Sequence, residues 1–389
     1  MHIARWWIAG PDLDQMLDEL ARDAMLVAPV RTHGEVVFQR VSGAAGICRD
    51  YVNSLVPPKR WLLPAVERLV RYRVDDGVPT IEPLGDEEPA ELVLFGVRSC
   101  DAAGFSYLTR FLSGEMLGRP DTADGPFMAR RGNVTVLSVT CRKPGPTCMC
   151  ICCKGGPALK SGFDWQLTEH SHGWYVEVQG ERGKRLADRF AARMRPATEE
   201  ETAAQRRHLK SVTDAFHKHS SHKVRTMMAG RMISEGRLPR DFWQGIGERC
   251  VECGGCAFVC PTCYCFNVAD VANHDAAAGA TAGATAGATA GEGETYDRVR
   301  LRDSCQLAGF IRQAGAGYPR PTCGDRCQTR FFHKFSWQFV DRMGALGCTG
   351  CGRCSQVCLG GVGIDTVSET VVRASAAART KPAIAGKGS

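Results

Sequence analysis

The sequence has no run of about 18 consecutive apolar residues, which is the length that a membrane-spanning helix requires. It has no GxGxxG or GxxxxGK(S/T) motif after any predicted strand, so it shows no nucleotide-binding fingerprint. The opening residues lack the long apolar stretch of a signal peptide, and we therefore expect a cytoplasmic location. These absences argue against a protein that spans the membrane and against an enzyme that carries its own flavin or nicotinamide.

Cysteine is the residue that the chain has in excess, at 20 of 389 residues. In a reducing compartment, clustered cysteines bind metal or do redox chemistry more often than they form disulfides. Thirteen of the 20 lie in the last third of the chain, from Cys250 onward. Their spacing there is the main indication of function.

The cysteine spacing C-x₂-C-x₂-C-x₃-C occurs twice, first at Cys250, Cys253, Cys256 and Cys260, and again at Cys348, Cys351, Cys354 and Cys358. This run holds 4Fe–4S clusters in two-cluster ferredoxins, where the fourth cysteine of each run binds the other cluster. We therefore assign one cluster to Cys250, Cys253, Cys256 and Cys358. We assign the second cluster to Cys348, Cys351, Cys354 and Cys260.

A zinc site is the main alternative for these cysteines. Structural zinc sites use two separated pairs of ligands, whereas each motif here packs four cysteines into one short run, which favours iron–sulfur. A zinc protein that binds nucleic acid would also need the basic segment between Arg195 and Arg240. Aromatic residues that stack on bases are sparse there, so we interpret the segment as a solvated helix face and predict no nucleic-acid partner.

The first half of the chain has the pattern of an α/β layer. Residues 36–41, 91–97 and 134–139 have the composition of short strands, and residues 165–168 and 174–178 form a predicted hairpin. Asp101 occupies the place of a helix N-cap after the second strand. Strands that end in loops opening helices are typical of α/β folds.

We predict the following organisation. An α/β (α+β) N-terminal domain covers residues 1–185 and includes a cysteine-rich loop at 141–153, and a helical connector covers 186–246. A two-cluster ferredoxin-like domain of helices and loops covers 247–372, with a low-complexity Ala-Gly-Thr insertion at 276–294 that we expect to be a flexible surface segment. Residues 373–389 are predicted to be a disordered tail.

Several segments in order along the chain resemble one family: Phe95–Asp101, Cys141–Cys150, Cys260–Phe266, Arg302–Cys305, Arg330–Phe335 and Gly347–Cys354. The chain is similar to the 4Fe–4S dicluster family that contains the beta subunit of soluble NiFe hydrogenases and the electron-supplying subunit of anaerobic sulfite reductase. Ser99, Met149 and Leu359 depart from the family pattern, but none of them is a predicted ligand.

The upstream cysteines leave a choice open. Cys100 and Cys141 each follow a predicted strand, so Cys100, Cys141, Cys148 and Cys150 would converge at one sheet edge if the strands are neighbours. The resemblance covers all four, which could then hold a third cluster or could pack as small apolar residues. Cys152 and Cys153 are spare ligands or free thiols. We favour packing over ligation for the remaining cysteines near the motifs: Cys263, Cys265, Cys305, Cys323 and Cys327.

Arg330 and Lys334 also admit two interpretations. They could place positive charge near a cluster and stabilise its reduced state, or they could lie on a helix face that contacts a partner.

The resemblance implies an electron-transfer subunit that is not catalytic alone. Its partners would be hydrogenase subunits together with a flavin/NAD(P)-binding subunit. The alternative is the electron-supplying component of a sulfite reductase-type complex, with a separate sirohaem protein as its partner. A stand-alone enzyme that binds its substrate at the loop 141–153 is a third and less favoured hypothesis.

Crossed ligation predicts the effect of Cys260→Ala. The substitution removes a thiolate from the cluster that Cys348, Cys351 and Cys354 hold, so that cluster should be damaged while the other stays spectroscopically intact. EPR spectra of the reduced variant and of the unsubstituted chain check this. Loss of the other cluster instead would contradict the crossed assignment.

Overall fold

The computed structural model describes residues 3–82, 91–219, 223–273 and 294–380. Ten strands in this part of the chain supply two sheets together with two later strands. The first ten are β1 (Ala4–Ile8), β2 (Met25–Thr32), β3 (Glu35–Arg40), β4 (Val66–Asp75), β5 (Val78–Glu82), β6 (Leu92–Arg98), β7 (Val134–Val139), β8 (Trp165–His170), β9 (Gly173–Val178) and β10 (Met194–Pro196).

The larger sheet has eight strands in the order β10-β1-β9-β8-β7-β6-β2-β3. Its centre, from β2 through β6 and β7 to β8, is parallel, and its flanks are antiparallel. Every residue of β6 is buried, as expected for a parallel strand that is covered on both faces. The predicted strands and the hairpin of β8 with β9 are thus confirmed, and β6 and β7 are neighbours.

Helices cover both faces of this sheet: α1 (Gly10–Asp23), α2 (Ser99–Leu112), α3 (Gly125–Gly132) and α4 (Gly180–Arg189). Helix α1 packs Leu13 and Leu17 against Phe95 and its neighbours on one face. Helix α2 packs Phe105 and Leu108 on the other. Adjacent residues of β6 alternate between these two cores, because side chains of a strand point to opposite faces in turn. The result is the predicted α/β layer.

The smaller sheet joins distant parts of the chain. Strands β11 (Phe266–Ala272) and β12 (Glu294–Arg302) pair with β4 and β5 in the antiparallel order β11-β12-β4-β5. The guanidinium of Arg300 in β12 is buried and pairs with Glu67 and Asp124. The regions predicted as residues 1–185 and 247–372 therefore share a sheet. Residues 276–293 of the predicted insertion lie outside the described residues.

The rest of the chain is mainly helical and carries the two cysteine motifs. Its helices are α5 (Glu199–His219), α6 (Lys223–Ser234), α7 (Arg240–Gly247), α8 (Gly255–Phe258), α9 (Cys323–Phe335), α10 (Trp337–Met343), α11 (Arg353–Gln356) and α12 (Ile364–Thr380). The predicted helical connector 186–246 also supplies β10 to the larger sheet.

Two local predictions were wrong. Asp101 is not an N-cap: α2 begins at Ser99 with Arg98 as its N-cap, and Asp101 is buried in the first turn because it pairs with a cation from the second motif. The tail was predicted to be disordered from residue 373, but α12 continues to Thr380. Its packing through Val367 and Val371 carries the helix forward. Residues 381–389 lie outside the described residues.

The basic segment between Arg195 and Arg240 lies mostly on α5 and α6. Several of its cations pair with acidic neighbours, including Arg195 with Glu201 and Lys210 with Asp214. This pairing supports a solvated helix face. Among the described residues, no helix combines the length and the apolar character that crossing a membrane would need.

Helix α2 touches the first motif at Gly104. A β-carbon at this position would lie 2.7 Å from Cβ of Pro261 and 3.1 Å from its carbonyl oxygen. Gly104→Ala should therefore lower the free energy of unfolding by about 1–3 kcal/mol, because the added methyl group forces the two elements apart. Urea denaturation of the full-length chain measures the change.

Gly245→Ala in α7 is the matched control. Nothing lies within 4 Å of its added β-carbon, so it should be neutral or stabilise the chain by up to about 1 kcal/mol. Equal destabilisation by the two variants would refute the tight contact between α2 and Pro261.

Candidate metal centre

The two cysteine motifs fold alike. Each forms a loop that reaches a glycine in the left-handed region, Gly254 at φ 71° and Gly352 at φ 79°, and each glycine begins a single helical turn, α8 or α11. Only glycine adopts this backbone without strain. The two short helices pack against each other, so the motifs face one another. Backbone N–H groups point at sulfur: that of Gly350 donates to Cys348 Sγ at 3.3 Å and that of Val362 to Cys358 Sγ at 3.1 Å.

Cys260 lies among the first three cysteines of the second motif. Burial raises the pKa of Cys354 to about 11, and the nearby thiols of Cys348 and Cys260 act in the same direction. Cys260 also raises the pKa of Cys348 and of Cys351, although hydrogen bonding from Cys153 leaves the pKa of Cys348 lowered overall. The donor set predicted for the second cluster is therefore one electrostatically linked group.

The last cysteine of the second motif approaches the first motif. A β-carbon at Gly360 would lie 1.8 Å from the carbonyl oxygen of Arg249 and 3.7 Å from Cα of Cys250, so the chain just after Cys358 touches the start of the first motif. A β-carbon at Gly255 would lie 3.5 Å from Cys253 Sγ and 3.9 Å from Val357. Both contacts have the sense that crossed ligation requires. Cys253 is exposed, so this group reaches the protein surface.

The N-terminal cysteines meet at the carboxyl edge of β6 and β7. Cys100 lies in the first turn of α2, directly after β6, and Cys141 follows β7. Cys141 raises the pKa of Cys100 and of Cys150, with burial as the larger cause in both, and Cys148 raises that of Cys141. The four thiols predicted as a possible third ligand set are thus neighbours.

The loop that carries Cys148 and Cys150 rests directly on the second motif. The N–H of Met149 donates to the carbonyl of Gly350 at 2.8 Å, and Oγ1 of Thr147 donates to the carbonyl of Gly352 at 3.0 Å. A β-carbon at Gly350 or Gly352 would lie within 2.5 Å of this loop. The N-terminal cysteines and the second motif therefore form one packed unit.

A buried ion pair fastens this contact. Arg353 donates to both carboxylate oxygens of Asp101, at 2.6 and 2.8 Å, and its Nε donates to the carbonyl of Ser54 at 2.7 Å. Arg353 is 1% exposed and Asp101 0%. Arg353 precedes Cys354 and Asp101 follows Cys100, so the pair links the two cysteine groups through adjacent residues. Sequence reasoning missed this pair; the only available signal was that each residue adjoins a cysteine.

Three further cations are buried around Cys260. Nζ of Lys59 donates to the carbonyls of Cys260 and Cys263, and Nζ of Lys334 donates to Oγ1 of Thr262 at 2.9 Å. Arg330 donates to the carbonyl of Val362 at 2.9 Å. Within the described part of the chain, none of these three forms a salt bridge with a carboxylate.

Buried cations without a carboxylate need another source of negative charge. Burial lowers the pKa of Lys59 to about 7. Burial also acts against charge on Lys334, but the thiols of Cys260 and Cys263 outweigh it and leave the pKa well above its usual value. Thiolates carrying an anionic cluster would supply the missing charge, so these residues fit such a group. Of the two interpretations of Arg330 and Lys334, burial beside the cysteines favours charge placement.

The remaining cysteines form close thiol contacts. Cys153 lies within hydrogen-bond reach of Cys348, Cys263 of Cys260, and Cys305 of Cys265. The sulfurs of Cys250, Cys323 and Cys327 all lie within 4.8 Å of one another. All 20 cysteines are free thiols. Sequence reasoning favoured packing for most of these residues and had no signal for their partners, because the pairs are distant in the chain.

Comparison with known proteins identifies the same region. Residues 249–362 match the family described as the 4Fe-4S dicluster domain. Over 350 residues the chain is 27% identical to sulfhydrogenase 2 subunit beta of Pyrococcus furiosus, and the match covers 90% of this chain and 91% of that protein. The resemblance inferred from the cysteine motifs is confirmed. The chain carries a 4Fe–4S dicluster domain and is related to a hydrogenase beta subunit.

Lys334→Met tests whether the buried cations act on the second centre. Loss of this positive charge should favour the oxidised state of the centre at Cys348, Cys351 and Cys354 by at least tenfold, which is about 59 mV for a one-electron couple. An EPR-monitored redox titration measures the shift.

Lys210→Met is the control, because its side chain is 77% exposed and lies on α5. It should leave the potential unchanged. An unshifted potential in the Lys334 variant would show that this cation does not compensate the charge of the centre.

Proposed function

We propose that the chain is the iron–sulfur electron-transfer subunit of a multi-subunit cytoplasmic oxidoreductase, namely the beta subunit of a NiFe hydrogenase complex. One observation carries the proposal: the fourth cysteine of each motif lies toward the other motif, as a two-cluster wire requires. The buried cations around Cys260 support it, because they need an anionic group beside them.

The proposed ligands divide into two crossed sets. The first set is Cys250, Cys253, Cys256 and Cys358, and the second is Cys348, Cys351, Cys354 and Cys260. Four thiolates for each cluster leave no open coordination position, so these residues bind no substrate. A 4Fe–4S cluster, when bound, supplies reversible one-electron transfer. The chain contributes burial, N–H donors to sulfur and positive charge, which together set how readily the electron is held.

The third set consists of Cys100, Cys141, Cys148 and Cys150, and we propose it as a possible third cluster site. Its support is convergence at one sheet edge together with direct packing of the loop on the second motif. If these four thiolates hold a cluster, the N-terminal sheet becomes part of the electron path. If they do not, they are buried packing residues.

The partners follow from what the chain lacks. It shows no nucleotide fingerprint, so a flavin/NAD(P)-binding subunit would lie at one end of the wire and the hydrogenase subunits at the other. The related protein is named as a sulfhydrogenase beta subunit, which favours this assignment over the electron-supplying component of a sulfite reductase-type complex.

The test is anaerobic purification of the full-length chain from its own cells, followed by measurement of iron and acid-labile sulfide. About eight irons per chain would support two clusters, and about twelve would add the third. Zinc in place of iron would overturn the proposal.

Subunits that purify with the chain provide the second readout. We expect hydrogenase large and small subunits together with a flavoprotein. A sirohaem-containing reductase in their place would replace the hydrogenase assignment with the sulfite reductase-type alternative, while the iron count would still test the wire itself.

A further inference from the structure

Three thiols from distant parts of the chain meet beside the first motif. The sulfurs of Cys250, Cys323 and Cys327 lie within 4.8 Å of one another. Cys327 is fully buried, and the other two are half-buried. We call these three residues the thiol triad. Only Cys250 belongs to a ferredoxin-type motif, so Cys323 and Cys327 have no role in the proposed ligand sets.

The scaffold of the triad is built from close backbone packing of α7 on α9. A β-carbon at Gly247 would lie 2.4 Å from the backbone nitrogen of Gly324, so glycine is needed at the end of α7. Trp243 stacks on Phe331 farther along the same pair of helices. This contact brings the loop that starts at Cys250 onto the first turn of α9.

Helix α9 presents its two cysteines in fixed positions. Cys323 and Cys327 are one turn apart, and residues i and i+4 of a helix lie on the same face. The start of α9 is held by a capping box between Thr322 and Asp325, and Nε2 of Gln244 donates to Oγ1 of Thr322 at 3.0 Å. The two thiols therefore point at Cys250 from a rigid element.

The separation of the sulfurs suits one ion better than a cubane. A tetrahedral ion with metal–sulfur bonds of about 2.3 Å places its thiolates about 3.8 Å apart. Each thiolate of a 4Fe–4S cluster binds a different iron atom and must stand farther from the others. Soft thiolate donors select zinc, iron(II) and related thiophilic ions over magnesium and calcium.

We propose that the thiol triad binds a single thiophilic divalent ion in chains whose first cluster has not formed. Binding replaces the S–H protons of Cys250, Cys323 and Cys327 with three metal–sulfur bonds and releases up to three protons to solvent, with no change in oxidation state. The carboxylate of Glu252, which pairs with Arg326 beside the triad, or a water molecule completes the coordination.

The ion and the first cluster exclude each other, because both require Cys250. This step rests on the proposed function, in which Cys250 is a ligand of the first cluster. The triad would then be a competing site: an ion held there keeps Cys250 from the cluster, and a completed cluster empties the triad.

The experiment titrates the full-length, cluster-free chain with Co²⁺, whose thiolate charge-transfer absorption reports sulfur ligation, and compares it with Cys323→Ser. The cysteine motifs will also bind Co²⁺, so the measured quantity is the number of tightly bound ions. We expect one fewer tight ion in the variant, with affinity at that site reduced more than about 100-fold, since even outer-shell partners of a metal are worth 10–100-fold.

Cys48→Ser is the matched control, because it removes a half-buried thiol from the N-terminal sheet region. It should bind as many ions as the unsubstituted chain. Cys327→Ala provides a second variant, and circular dichroism establishes that both triad variants are folded. Equal numbers of tight ions in the unsubstituted chain and in both folded triad variants would overturn the proposal.

A second measurement separates this inference from the proposed function. Zinc loaded before reconstitution should reduce cluster formation in the unsubstituted chain by one cluster and should reduce it less in Cys323→Ser. Without zinc, Cys323→Ser should take up as much iron and sulfide as the unsubstituted chain. If the variant loses a cluster without zinc, Cys323 is a cluster ligand and the triad proposal fails. If the unsubstituted chain takes up no iron, the electron-transfer proposal fails instead.

Discussion

The buried ion pair between Arg353 and Asp101 constrains the geometry of every cysteine group around it. It holds the carboxyl edge of the larger sheet against the second motif, and each partner adjoins a cysteine. Replacing both members of a buried pair with apolar residues can be neutral, but removing one typically costs about 3–5 kcal/mol. The pair therefore acts mainly as a positioning device. It sets how the N-terminal cysteines face Cys351, whose carbonyl lies 3.8 Å from Cys148 Sγ.

Charge compensation is the second constraint. Lys59 comes from the N-terminal region, whereas Lys334 and Arg330 come from α9, yet all are buried beside the first and second motifs. Such cations would destabilise a core that held only neutral thiols. Their convergence explains why the N-terminal region and the cysteine motifs pack so closely. Both regions contribute charge to the same centre, and the smaller sheet ties them together through β4 and β12.

Much of the local structure could be predicted from the sequence. Apolar runs located β6 and β7, and the two cysteine runs identified the dicluster domain that residues 249–362 match. The smaller sheet could not be predicted, because its strand pairs join residues near 70 to residues near 300 and no local pattern encodes such pairing. Asp101 was assigned to a cap for the same reason: its true partner, Arg353, is distant in the chain.

The sequence alone determined the ligand chemistry, since two complete cysteine runs with left-handed glycines form the same loop wherever they occur. Tertiary structure decided which thiols become neighbours. It brought Cys250 to α9, Cys153 to Cys348, and the loop of residues 141–153 to the second motif. It also decided which cations are buried, because burial depends on how helices and sheets pack together. Spacing specifies a local loop, but contacts between distant segments arise only when the whole chain folds.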